Sequence, residues 1–80
     1  MIDSTTHQPL SVTVYGDGPA EIMLPFEQLD KVTALLDAHG VSYWVDEETL
    51  SIDGGPEVIW INLSQRTDPA TVQRLLDSIP

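Results

Sequence analysis

The run Asp46-Glu47-Glu48, with Asp53 not far behind it, is the densest set of hard oxygen donors in this chain. Calcium is the ion such carboxylates would suit, but an EF-hand loop needs oxygen ligands at alternating positions and a glycine at its sharp turn. The segment D-E-E-T-L-S supplies neither, so it is read as a solvated hairpin tip, and no metal or other cofactor is expected. The histidines add little. His7 lies in a polar N-terminal stretch, and His39 closes a helical pattern, where a donor or cation suits the terminal carbonyls. Serine and aspartate are plentiful, yet no G-x-S-x-G elbow marks a nucleophile. GDGP and DGGP lack the spacing of a phosphate-binding loop and read as turns. With no catalytic residue in view, the chain is expected not to be an enzyme.

The residues that do suggest chemistry are aromatic. In EVIWINL, residues 57 to 63, Ile59, Ile61 and Leu63 fall on one side of a strand, and Val58 and Trp60 fall on the other. A strand at the surface of a two-layer domain needs only one apolar face. The same alternation puts Tyr15, Met23 and Trp44 with Val58 and Trp60, diluted by Thr13, Ser42 and Ser51 and rimmed by Glu21, Asp46 and Glu57. Aromatic residues with Met and Val inside a polar rim have the composition of a protein interface. The competing reading is internal: strands favour aromatics for cross-strand pairing, and the N-terminal segment or a one-residue register slip would bury either tryptophan. An unblunted sheet edge is a second route to pairing with another chain.

Composition narrows the partners. Lys31, Arg66 and Arg74 stand against thirteen acidic residues, for a formal charge of −10. Binding nucleic acid or an anionic membrane requires clustered Lys and Arg, so neither is expected. The charge serves solubility or steers the chain toward a basic protein. There is no cysteine, hence no disulfide framework, and eighty residues allow one core that buries roughly 60 to 65% of the unfolded surface. The start of the chain has no basic and apolar leader pattern, and no run approaches a membrane span, so a cytoplasmic protein is expected.

The elements that must carry these residues follow from periodicity. Residues 1 to 10 read as a flexible tail and residues 11 to 80 as a single α/β domain. SVTVY and AEIML alternate around GDGP and predict a hairpin. From Pro25, taken as the first helical residue, Phe26, Leu29, Val32, Leu35 and Leu36 form a stripe that ends at Gly40, which would let Val41 close back onto Leu36. SYWVD and TLSID predict two strands joined at residues 46 to 48, and DGGP leads into residues 57 to 63. Asp68 caps a last helix with Pro69 first in it, and Val72, Leu75, Leu76 and Ile79 make its stripe. VTALLD and VQRLLD, at 32 to 37 and 72 to 77, faintly suggest an internal repeat.

The expected fold is an α+β, two-layer sandwich of order ββαβββα, a mixed, mostly antiparallel sheet of four or five strands with two helices on one face. Its core would hold Val12, Val14, Ile22, Leu24, Tyr43, Val45, Leu50, Ile52, Ile59, Ile61 and Leu63. The expected function is a small acidic protein-interaction module, self-associating as a homodimer through the aromatic face. An acidic inhibitor or immunity-type protein for a basic partner, and an accessory subunit of an enzyme whose site lies on another chain, are the alternatives.

Overall fold

The hairpin predicted around GDGP is present in the computed structural model, which describes residues 1–14, 16, 18–51 and 53–79. Strands β1 (Val12–Val14) and β2 (Ala20–Pro25) pair antiparallel, Val12 opposite Ile22 and Val14 opposite Ala20. Pro25 is the last residue of β2 rather than the first of a helix, and one 3-10 turn (Phe26–Gln28) separates it from α1 (Leu29–Ala38). That turn has fewer residues per turn than an α-helix, so Phe26 rotates off the α-helical stripe and stands 49% exposed. Gly40 adopts φ 67°, and Val41 N–H donates to the Leu36 carbonyl at 3.0 Å while Gly40 N–H donates to Asp37. This is the helix stop the sequence predicts.

The second half departs from expectation at one point. β3 (Tyr43–Val45) and β4 (Leu50–Ser51) do not form a hairpin; both pair antiparallel with β5 (Glu57–Leu63) and lie end to end along its outer edge. Val45 is opposite Ile61 and Leu50 opposite Val58, so five steps on the edge are set against three on β5. The two extra residues bulge out between the segments. Asp46, Glu47 and Glu48 therefore sit on an edge bulge, not a hairpin tip. A seven-residue β5 is long enough to serve both segments, and D-E-E-T contains no glycine for a tight primed turn. The turn falls later, between β4 and β5, where Asp53 and Gly54 take positive φ.

An excess of two keeps parity. Leu50 consequently shares the side of Trp44, not that of Tyr43 and Val45, and it leaves the core to which it was assigned. Ile52, assigned with it, lies outside the described residues.

α2 (Pro69–Asp77) begins as predicted, with the Asp68 carboxylate accepting from Ala70 N–H at 3.1 Å and Pro69 first in the helix. The sheet runs β1-β2-β5-β3, with β4 also on β5, and every pairing is antiparallel. Both helices lie on one face. Val32 and Leu36 of α1 and Val72 and Leu76 of α2 are fully buried with Ile22, Leu24, Ile61 and Leu63 of the two central strands, and Ile59 is nearly so. Each such side chain contributes about 1.5–3 kcal/mol by leaving water. The topology repeats, since each half is an outer strand, an inner strand and a helix, and the inner strands β2 and β5 pair at the centre. Val14, also assigned to the core, is 51% exposed at the end of the short β1.

The N-terminal segment was expected as a tail but packs as a loop. Met1 and Leu10 are buried in the core, Leu10 N–H donates to the Met1 carbonyl, and the terminal amine reaches the Leu76 carbonyl. Two glutamines hold the loop. Buried Gln28 accepts from Ser4 N–H and donates to the Ile2 carbonyl, each at 2.8 Å. Gln73 accepts from Val12 N–H at 2.8 Å and donates to the Leu10 carbonyl at 3.0 Å. Apolar side chains beneath a polar stretch, which lacked any period of their own, carry this segment.

Candidate functional site: the open face of the sheet

The face away from the helices gathers most of the predicted site. Met23 of β2 stands directly opposite Trp60 of β5, Leu50 is opposite Val58, and Trp44 is opposite Asn62. Met23 is 52% exposed, Trp44 53% and Leu50 47%, while Trp60 and Val58 are half-buried between their neighbours. Neither a register slip nor the N-terminal loop covers these residues. The loop instead runs alongside, where Asp3, Thr6, Pro9 and Leu10 line a groove of about 200 Å³ with Thr13 and Met23. Tyr15, predicted for this face, lies outside the described residues.

The rim is partly as expected. Glu21 shares the open face, paired with Thr13 on one side and Asn62 on the other. Asp46 extends the edge ladder through its N–H to the Trp60 carbonyl at 3.0 Å, and its carboxylate accepts from the Asn62 amide at 2.6 Å. Glu57 does not belong. It pairs with Ser51 on the register of Ile59, at the exposed end of the sheet, so the pleat turns both Glu57 and Ser51 toward the helical side.

Leu50 is the residue that sequence reasoning missed, because the parity of β4 depends on the size of the bulge. The bulge also makes a cavity. Asp46, Glu47, Glu48, Thr49, Leu50 and Trp60 line a space of about 510 Å³, opened where the chain leaves the flank of Trp60.

Both free edges of the sheet are blunted. On β1 the outward N–H of Val12 is taken by Gln73, and on the other side the acidic bulge interrupts the edge strand.

Comparison with protein-family models, with curated proteins and with solved structures gives no match.

Titration behaviour is perturbed away from the face. Burial raises the Asp3 carboxyl, but hydrogen bonds from the Thr5 hydroxyl and amide and the Thr6 amide, with His7 nearby, outweigh it and hold the group below its ordinary 3.8. The Tyr43 phenol donates to Asp37 at 2.8 Å; this bond, with burial and the adjacent negative charge, lifts it above its ordinary 10.0, while Thr33 acts in the opposite sense. Among the described residues no three metal-ligating side chains converge, and no helix is long and apolar enough to cross a membrane. His39 lies at the C-cap of α1, and His7 sits at positive φ in the N-terminal loop.

Proposed function

We propose that this chain is a non-enzymatic binding module of the cytoplasm that docks another protein on the open face of its sheet. The observation that carries the reading is the exposure, together, of Met23, Trp44 and Leu50 on a face that neither helix covers. A contiguous apolar patch with a polar rim is the usual mark of an interaction surface, and tryptophan is among the residues that dominate binding energy there. The blunted edges favour contact through the face over strand addition.

Charge bears on the occupant. Two copies meeting through the same face would bring Glu21 and Asp46 of each against those of the other, at a formal charge of −10 per chain. Like charges set against each other suppress association, whereas a basic partner is steered in. An acidic module for a basic protein is therefore preferred to a homodimer or an accessory enzyme subunit.

Met23→Asp and Trp44→Asp test this, because both side chains are half in water and the variants keep the core. Wild type is expected to sediment as a monomer and to capture from its native extract a basic protein that both variants lose. A dimer that Trp44→Asp dissolves would replace the basic partner by a second copy. Identical captures by all three proteins would remove the face from consideration.

A further inference from the structure

The cavity beside Trp60 is flanked by two unlike walls. Trp60 and Leu50 supply apolar surface, and Asp46, Glu47 and Glu48 supply three carboxylates on a bulge of the edge strand. At about 510 Å³ it holds a long side chain with room for water. The protein has no basic residue at hand to fill it. Lys31 lies in α1, Arg74 in α2 and Arg66 in the loop between β5 and α2, all off the strands of the open face. Asp46 is already fixed by Asn62, so one carboxylate is held in place while Glu47 and Glu48 stand exposed beside it.

An indole next to one fixed carboxylate, with two exposed carboxylates beside it, is suited to one kind of side chain. A guanidinium is planar, stacks on an aromatic face and donates in parallel to a carboxylate, and it sheds water more readily than an ammonium group. We propose that the cavity between Trp60 and the bulge at residues 46 to 49 receives an arginine side chain of a basic protein partner. This rests on the docking role of the open face, to which the cavity is continuous through Trp60 and Leu50. Arginine sets the register of the partner there, and Met23 and Trp44 supply the apolar contact beyond it. Because the formal charge of −10 surrounds the site, association is steered by charge and weakened by salt.

The test uses the intact chain, labelled with 15N, and three peptides: acetyl-Gly-Arg-Gly-Arg-Gly-amide and its Lys and Gln counterparts. The arginine peptide is expected to shift the Trp60 indole N–H and the backbone amides of residues 46 to 50 in a saturable way. It binds severalfold more tightly than the lysine peptide, and the glutamine peptide leaves the spectrum unchanged. Trp60→Leu, which keeps an apolar residue in the strand, weakens binding about two- to fivefold, the ratio expected for loss of an exposed cation–π contact. The exposed pair Glu47→Gln and Glu48→Gln, which leaves the fold alone, removes most of the binding and most of its salt dependence. Shifts scattered over the whole acidic surface, equal binding of arginine and lysine peptides, or an unchanged affinity in Trp60→Leu would each overturn the proposal. The two readings fail separately. A partner lost on Trp44→Asp with no arginine peptide in the cavity sinks only the cavity, and arginine binding with a partner indifferent to Trp44→Asp sinks only the face.

Discussion

Met23 and Trp60 face each other directly across β2 and β5, on the side of the sheet that carries no helix. β2 and β5 are the inner strands of the sheet, but β1 stops opposite Ile22 and the outer edge bulges away beside Trp60, so each of the two residues is open on its far flank. The register sets a thioether beside an indole in the middle of the open face, where Met23 stays 52% exposed.

That contact is measurable on its own. A double-mutant cycle of Met23→Ala and Trp60→Leu should give a coupling energy of about 0.5–1 kcal/mol in urea unfolding, the range for a sulfur–aromatic cross-strand pair. A coupling indistinguishable from zero would mean that the two side chains are only neighbours.

The bulge makes a prediction about parity. Deleting Glu47 and Glu48 together removes its two extra residues and lets β3 run straight into β4 with Leu50 still opposite Val58. The fold should survive, but the edge becomes continuous and keeps only one of its three charges, so concentration-dependent self-association is expected in sedimentation. Deleting Glu47 alone should be worse for stability, because one residue moves Leu50 to the other side of the sheet. Equal stability of the two deletions would contradict the assigned register.

The N-terminal loop should be part of the cooperative fold. Leu10→Ala empties a fully buried site and should cost about 2–5 kcal/mol. Gln28→Leu strips the partners from Ser4 N–H and the Ile2 carbonyl and should cost about 1–3 kcal/mol. Chemical denaturation measures both. Values near zero would return residues 1 to 10 to the status of a tail.

Two groups set the ends of the pH profile. The folded Asp3 titrates below its ordinary 3.8, so its contribution is present above that pH and is lost as the pH falls through the lowered value. Asp3→Asn should flatten the acid limb of stability. Tyr43 is shifted the other way: its folded form holds the proton above 10.0, so stability is full below pH 10.0 and declines as the pH rises through the raised value. Tyr43→Phe should remove that decline. Urea midpoints followed from pH 2 to 5, and from pH 9 upward, check each sign.

Several elements were legible because their signals are local. Gly40 and the Val41 closure, the Asp68-Pro69 helix start, and the alternation of Ile59, Ile61 and Leu63 each depend on residues within one or two turns or pleats. Met23, Trp44, Val58 and Trp60 fell on the open face for the same reason. Pro25 shows where a local signal has two outcomes, since a proline fits the end of a strand as well as the start of a helix.

What the sequence by itself determined is periodicity: which residues alternate, which form helical stripes, and that both tryptophans share a face opposite the core. Tertiary structure decided everything that depends on a distant partner. Whether residues 43 to 51 fold on themselves or both lie along β5 is a choice between pairings of similar local propensity, and the length of β5 decides it. Leu50 and Ser51 changed sides with that choice. Met1 and Leu10 are drawn into the core for a related reason: a polar stretch has no period to read, and its few large apolar residues find cover only through packing with distant elements such as α2.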